Sequence, residues 1–177
     1  MGANKLISKK YIKMNHQLHE SKTNYGKSTV KYKDIILNLI NKYNFKTMID
    51  YGCGKQSAKS FLPDYIKYIP YDPAFEEINK LPEPEDFLIC TDVLEHIEPE
   101  FLDNVLKTIN EKTKKICFLT IALRSASKIL SDGRNAHLIV ENRLFWLKKI
   151  NNNFTNYKII NEEYLENQFL NLTILKE

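Results

Sequence analysis

Apolar residues recur at helical spacing in one early segment of the chain. Their positions, three and four apart, predict an amphipathic helix that Ser28 or Thr29 would cap, with an apolar face made of Tyr32, Ile35, Ile36, Leu39, Ile40 and Tyr43. A second helix is predicted after Pro99, a residue that the first helical turn accepts, with an inward face of Phe101, Leu102, Val105, Leu106 and Ile109. A third is predicted over 142–150.

Short apolar runs between these helices predict strands at roughly 47–51, 65–71, 87–90 and 115–122. Because strands and helices alternate, these strands should form a parallel sheet covered by helices on both faces. Two final strands, roughly 156–162 and 168–175, are expected to pair antiparallel. The sequence therefore predicts an α/β fold in one domain spanning residues 1–177, with a polar arm over 1–28 and a core over 29–177.

Polar and glycine residues follow three of the predicted strands. Asp50-Tyr51-Gly52-Cys53-Gly54 ends the first, Asp72 follows the second, and Thr91-Asp92-Val93-Leu94-Glu95-His96-Ile97 follows the third. Taken singly, the glycines could form an ordinary turn and Asp72-Pro73 could simply start one. In open α/β sheets, however, ligands bind at the carboxyl ends of the strands. All three segments are therefore expected to meet at one binding site.

Two of these motifs resemble those of class I S-adenosylmethionine-dependent methyltransferases. Met48 to Gly54 is similar to the first motif of that family, and Cys90 to Ile97 is similar to its Asp-Val-Leu-Glu-His motif. Asp72 matches the acid that binds ribose. Together with Tyr25-Gly26 and the segment 132–139, these motifs resemble small methyltransferase-like proteins often found in phage genomes.

The resemblance implies a Rossmann-like methyltransferase fold, a mostly parallel sheet closed by the antiparallel hairpin, and S-adenosyl-L-methionine as cofactor. The cofactor-binding residues that it implies are Tyr25, Asp50, Gly52, Cys53, Gly54, Asp72, Pro73, Thr91, Asp92 and Val93. Gln56 and Ser57 depart from the family pattern, since they occupy the position of its third glycine. Only 13 residues separate Asp72 from Asp86, so the usual third strand looks deleted and a sheet of six or seven strands is expected.

His96 and His137 are the candidate general bases, because imidazole titrates near neutral pH. Each has an alternative structural interpretation, as a residue preceding a helix or one that packs a loop. Arg124, Arg134 and Asn135 are the candidate substrate-binding residues, since arginines suit an anionic acceptor. Arg134 could instead pair with Asp132 or Glu141 at the surface.

Charge divides the chain into a basic arm and an acidic body. Residues 1–46 hold ten lysines and two acidic residues, whereas the overall net charge is only +4. Such an arm could bind nucleic acid, but a solvated lysine-rich face is the favoured interpretation. The arm is also expected to fold over the cofactor as a lid. No membrane-spanning segment is predicted.

The three cysteines, Cys53, Cys90 and Cys117, lack metal-ligand spacing and are interpreted as reduced thiols in the cytoplasm, which would be that of the host if the chain is phage-encoded. No metal site is predicted. The favoured function is enzymatic methyl transfer to a small or exposed acceptor. Cleavage of the cofactor and a non-catalytic binding module are the alternatives.

Overall fold

A computed structural model describes residues 5–21 and 28–177, without the side chains of residues 19–21. Its α-helices are α1 (Lys9–Ser21), α2 (Lys33–Tyr43), α3 (Leu102–Lys112) and α4 (Arg143–Asn153). Its strands are β1 (Thr47–Tyr51), β2 (Lys67–Tyr71), β3 (Glu85–Thr91), β4 (Thr113–Ala122), β5 (Tyr157–Leu165) and β6 (Phe169–Lys176). Within these residues no helix is both long and apolar enough to cross a bilayer.

The six strands form one sheet in the order β2-β1-β3-β4-β6-β5. The first four are parallel, and β6 pairs antiparallel with both β4 and β5. The link between β2 and β3 holds only a 3-10 turn, Glu76–Ile78. The predicted α/β sheet, mostly parallel with an antiparallel C-terminal pair, is therefore confirmed, and of the two strand numbers expected the structure has six.

Side chains of the central strands pack on both faces of the sheet. On β3, Phe87 and Ile89 pack on the side covered by α2, whereas Leu88 and Cys90 face α3 and α4. Successive strand residues point to opposite faces, so a strand buried on both sides is apolar throughout. Helices on both faces leave the carboxyl ends of the parallel strands as the accessible edge.

The predicted N-cap of α2 is wrong. A 3-10 turn, Ser28–Tyr32, precedes the helix, and its residue Tyr32 caps α2 without a side-chain hydrogen bond. Thr29 is buried, and its hydroxyl is 2.8 Å from that of Thr91 at the end of β3. The Thr29 hydroxyl, which was expected to cap the helix, therefore links the segment before α2 to the carboxyl end of β3.

Helix α1 was not predicted from the sequence. Tyr11, Met14 and Leu18 lie on one side of it and pack against Leu130 and Ala136 of the loop after β4. Their spacing of three and four residues is a helical signal, but the lysines and polar residues between them obscured it. The arm therefore shares a small apolar core with that loop.

Candidate functional site

A cavity of about 380 Å³ opens at the carboxyl ends of the parallel strands. That volume is typical of small-molecule sites. Three segments line it directly after β1, β2 and β3, contributing Gly52, Cys53, Gly54, Asp72, Pro73, Thr91, Asp92 and Val93. Eight of the ten residues predicted to bind the cofactor thus surround one cavity; Asp50 does not line it, and Tyr25 lies outside the described residues.

The turn after β1 is built on Gly52. Its φ of 73° falls in the region that residues with a side chain rarely adopt. A Cβ atom at this position would lie 2.6 and 2.7 Å from the two methyl carbons of Val93. Gly52 therefore allows the segment after β3 to pack closely against the glycine turn, and the two segments meet at the cavity.

Gln56 takes the position of the glycine that the family pattern would place in this loop. Its φ is 54°, so the backbone keeps the left-handed conformation that glycine would favour. The backbone amide of Gln56 donates a hydrogen bond to the Cys53 carbonyl at 2.8 Å. The departure in sequence thus leaves the turn in a glycine-like shape.

Asp72 is the buried carboxylate of the cavity. One of its oxygens accepts a hydrogen bond from the Gly54 amide at 3.0 Å, and the other accepts one from Ala74 at 2.9 Å. Burial raises the pKa of Asp72, while the two amides oppose that rise. Each oxygen keeps a second lone pair, so the carboxylate can still accept hydrogen bonds from two neighbouring hydroxyls.

Asp50 lies behind the glycine turn rather than at the cavity. Its Oδ2 accepts a hydrogen bond from the Tyr68 hydroxyl at 2.8 Å. Burial raises the pKa of Asp50 to about 7, and the nearby charge of Asp72 adds to the rise. Asp50 is therefore placed to support the turn and not to touch a ligand in this cavity.

Asp92 joins three parts of the fold at the cavity wall. Its Oδ1 accepts hydrogen bonds from the Tyr32 hydroxyl at 3.0 Å and from the Thr120 hydroxyl at 2.9 Å. Lys31 places its ammonium 3.7 Å from the other oxygen. Asp92 has a φ of 53°, which turns the chain sharply after β3. This carboxylate links β3, β4 and the segment that precedes α2.

His96 and His137 lie together at the cavity, with ring centroids 4.7 Å apart. Nδ1 of His96 is 2.8 Å from the Ala136 carbonyl, and Nδ1 of His137 is 2.5 Å from the Arg124 carbonyl. Burial lowers the pKa of His137, which favours its neutral form. The two predicted bases, 41 positions apart in sequence, are thus brought into contact.

Glu95 stands beside this pair and was not singled out from the sequence. It is completely buried, and burial, followed by the charge of Asp92, raises its pKa to about 8. One nitrogen of each histidine and one Glu95 oxygen all lie within 4.8 Å of one another. Its place in the Asp-Val-Leu-Glu-His segment was the available signal, but only the fold shows that the side chain points inward to His137.

The three residues predicted to bind substrate separate in the structure. Arg124 lines the cavity. Arg134 is exposed and pairs with Asp132, its Nε 3.0 Å from the carboxylate, as the alternative interpretation had it. The side chain of Asn135 donates a hydrogen bond from Nδ2 to the Ala126 carbonyl at 2.8 Å, and its Oδ1 accepts one from the Ala126 backbone amide at 2.9 Å. Neither Arg134 nor Asn135 is among the residues that line the cavity.

The N-terminal arm forms another wall of the cavity. Leu6, Ile7, Tyr11 and Asn15 line it, none of which was predicted as a site residue. The backbone amide and the hydroxyl of Ser8 each donate a hydrogen bond of 2.7 Å to the carboxylate of Glu98. The arm is thus fastened to the segment after β3 by its own hydrogen bonds.

Solved structures share this architecture. The chain resembles 1,6-didemethyltoxoflavin-N1-methyltransferase from Burkholderia thailandensis with a TM-score of 0.58 and 11% identity, over 99% of this chain and 93% of that one. It resembles magnesium protoporphyrin IX methyltransferase from Synechocystis PCC 6803 with a TM-score of 0.55 and 12% identity, over 88% and 86% of the two chains. The DhpI–S-adenosylhomocysteine complex gives 0.58 and 9%, over 92% and 95%. The chain has the Rossmann-like methyltransferase fold.

Sequence comparison adds nothing to this likeness. No protein-family model matches the chain, and no curated protein matches it. The fold is therefore established by shape, at sequence identities that leave the chemistry to be argued from the residues of the cavity.

Proposed function

We propose that this chain binds S-adenosyl-L-methionine in the cavity and transfers its methyl group to a small or exposed acceptor. One observation carries the proposal: in a methyltransferase fold, the glycine turn, Asp72 and the segment Thr91 to Val93 line a single cavity at the carboxyl ends of adjacent strands. Fold alone would not support it. The arm and the core are proposed to act as one domain.

Each part of the cavity has a role in this proposal. Asp72 would accept hydrogen bonds from the two ribose hydroxyls, for which both of its oxygens keep a lone pair. Gly52 and Gly54 would bring backbone close to the methionine portion, while Asp92 and Val93 would lie along the cofactor. When bound, S-adenosylmethionine supplies a methyl group already activated by its sulfonium.

His137 and His96 are the proposed proton acceptors for an acceptor that must lose a proton. A carbonyl oxygen only accepts hydrogen bonds, so Nδ1 of each ring carries the hydrogen and Nε2 carries the lone pair. Arg124, exposed at the cavity, is the proposed contact for an anionic part of the acceptor.

A small molecule is the favoured acceptor class. Residues of the arm form part of the cavity wall, and the two named methyltransferases of similar fold act, by their names, on 1,6-didemethyltoxoflavin and on magnesium protoporphyrin IX. Nucleic acid is a possible but less favoured acceptor. We further propose a cytoplasmic location and kinship with the small phage-type proteins.

Binding of the demethylated product, S-adenosylhomocysteine, tests the cofactor proposal. A ligand at about 100 times its Kd stabilises the folded state by about 2.7 kcal/mol, which corresponds to a rise in Tm of about 5–10 °C for a domain of this size. Asp72→Asn should abolish most of that rise, whereas Asp132→Asn, at the surface, should keep it. No rise with wild-type protein would contradict the proposal.

Transfer itself is tested with a cofactor labelled in its methyl group. Metabolite, nucleic-acid and lysate fractions are each incubated with the protein, and label should pass to the metabolite fraction. Release of labelled methylthioadenosine without any acceptor would instead identify cofactor cleavage. Binding without either product would identify a non-catalytic module.

A further inference from the structure

Three side chains at the cavity have the chemistry of a metal site. Glu95, His96 and His137 each bring one potential ligand atom within 4.8 Å of the other two. They come from two separate segments, the one after β3 and the loop after β4. We propose that Glu95, His96 and His137 bind a divalent transition-metal ion at the edge of the cofactor cavity.

The hydrogen bonds of the two histidines support this assignment. Both rings are held through Nδ1 by a backbone carbonyl, that of Ala136 for His96 and that of Arg124 for His137. Such a bond fixes the ring and its tautomer, and metal-binding histidines almost always donate their other ring N–H to a backbone carbonyl, a carboxylate or water. In that tautomer the lone pair of each ring is on Nε2, the atom that would bind the ion.

Asn135 strengthens the hold on His137. Its Oδ1 accepts a hydrogen bond from the His137 amide at 2.9 Å, while its amide group bonds both backbone groups of Ala126. Asn135 therefore holds together the two parts of the loop, around Ala126 and around His137. This gives Asn135 a positioning role, in place of the substrate contact predicted for it.

Glu95 distinguishes a metal site from a simple pair of bases. Its Oε1 accepts a hydrogen bond from the Ala122 amide at 3.0 Å, but its Oε2 has no hydrogen-bond partner among the described residues. A fully buried carboxylate oxygen without a partner is costly. A proton-accepting histidine pair does not require such an oxygen, whereas a cation bound between the three side chains would satisfy it.

The ligand set indicates which ions fit. Two imidazole nitrogens and one carboxylate oxygen suit Zn²⁺, Mn²⁺, Fe²⁺ or Co²⁺, whereas Mg²⁺ and Ca²⁺ prefer oxygen ligands throughout. Three protein ligands leave at least one coordination position for another molecule, as in catalytic zinc sites. Resting on the proposed function, we infer that this position takes an oxygen atom of the methyl acceptor.

Co²⁺ absorption tests the site on the full chain. The protein is treated with a chelator, dialysed and titrated with Co²⁺, whose visible bands report nitrogen and oxygen ligands. We expect one ion per chain, with binding weakened about 10-fold or more in Glu95→Gln and in His137→Ala. His16→Gln, a histidine of the arm outside the cluster, is the matched control and should bind as wild type does.

The outcomes separate the metal proposal from the proposed function. No saturable Co²⁺ binding by wild-type protein, or equal binding in all the variants, would overturn the metal site. Calorimetry with S-adenosylhomocysteine on the same wild-type sample reports the cofactor site independently. Cofactor binding without cobalt binding leaves the histidines as bases, and cobalt binding without cofactor binding refutes only the proposed function.

A small oxygen chelator tests the open coordination position. Acetohydroxamate added to the cobalt-loaded protein should shift the visible bands, because its two oxygens would bind directly to the ion. An unchanged spectrum would mean that the protein closes the coordination sphere, and would overturn the inference about the acceptor oxygen. Zn²⁺ added in excess should displace Co²⁺ and bleach the bands, since both ions would use the same three ligands.

Discussion

At the scale of single residues, the residues around the glycine turn divide into those that face the cavity and those that support the turn. Asp72 lines the cavity, and each of its oxygens keeps a lone pair for a ligand, whereas Asp50 lies behind the turn and accepts a hydrogen bond from Tyr68. Gly52 serves the turn through its contact with Val93. The resemblance assigned Asp50, Gly52 and Asp72 alike to the cofactor, but their surroundings give them different physical tasks.

Gly52→Ala should destabilise the protein by about 2–5 kcal/mol. A left-handed φ costs a residue with a side chain about 1–2 kcal/mol, and the overlap with Val93 adds about 1–3 kcal/mol. Urea unfolding measures the loss. Val93→Ala removes the overlapping methyl groups, so the double variant should be more stable than the sum of the two single changes implies; simple additivity would contradict this explanation.

Asp50→Asn should stabilise the protein increasingly between pH 5 and pH 7. The pKa of Asp50 is about 7 in the folded protein against an ordinary 3.8, so the folded state binds more protons over this range. Its free energy of unfolding therefore falls as pH rises, by up to about 1.4 kcal/mol per pH unit. Asparagine carries no ionisable group and can still accept the Tyr68 hydrogen bond.

The measurement is the difference in unfolding free energy between variant and wild type, taken at several pH values. It should grow up to about pH 7 and then level off, because Asp50 is ionised in both states above that pH. Asp64→Asn, at an exposed position, is the control. A difference that is flat with pH would show that burial does not govern the ionisation of Asp50.

At the scale of elements, periodic apolar patterns predicted most of the fold. All six strands and helices α2, α3 and α4 were predicted within a few residues, because most of them bury a continuous apolar face; β5, which has no buried residue, is the exception. Helix α1 was missed because three apolar residues among lysines give a weak pattern. The contact of His96 with His137 depends on how the loop after β4 folds back, which no local pattern encodes.

Removing residues 1–26 should weaken binding of S-adenosylhomocysteine about 10-fold or more, equivalent to about 1.4 kcal/mol. Four of the residues removed, Leu6, Ile7, Tyr11 and Asn15, line the cavity, and Ser8 fastens the arm to Glu98. Calorimetric titration measures the change. Unchanged affinity would show that the arm is not a lid.

A point variant tests the lid without shortening the chain. Leu18→Asp would place a charge in the small core that α1 shares with Leu130 and Ala136, and should detach the helix. Gln17→Asp, exposed on the same helix, adds the same charge and should bind the cofactor product normally. Equal weakening in both variants would assign the effect to charge rather than to detachment.

At the scale of the whole molecule, the basic N-terminal segment, residues 1–46, contacts acidic groups of the rest of the chain. Lys10 lies 3.3 Å from Asp132, and Lys31 lies 3.7 Å from Asp92. Part of the positive charge that could attract nucleic acid is therefore paired with acidic side chains of the same chain. The uneven distribution of charge along the sequence is present in the structure, but some of the lysines form ion pairs within the protein.

Single-stranded oligonucleotides should consequently bind only weakly. At 150 mM salt we expect a Kd no tighter than about 10⁻⁴ M, the weak end of the range for non-specific contacts. Fluorescence anisotropy at two salt concentrations measures it, and lowering the salt should strengthen binding steeply. Submicromolar binding at 150 mM salt would make nucleic acid the favoured acceptor instead.

The shortened sheet has a consequence for solubility. With no strand beyond it in the described residues, β2 forms an edge of the sheet, and bare edges invite pairing with other molecules. This edge carries Pro70, which has no amide hydrogen to offer an incoming strand. The opposite edge strand, β5, carries the charged pair Glu162 and Glu163. Both margins of the sheet thus resist edge-to-edge aggregation, so the fold can do without a strand and not become a template for fibrils.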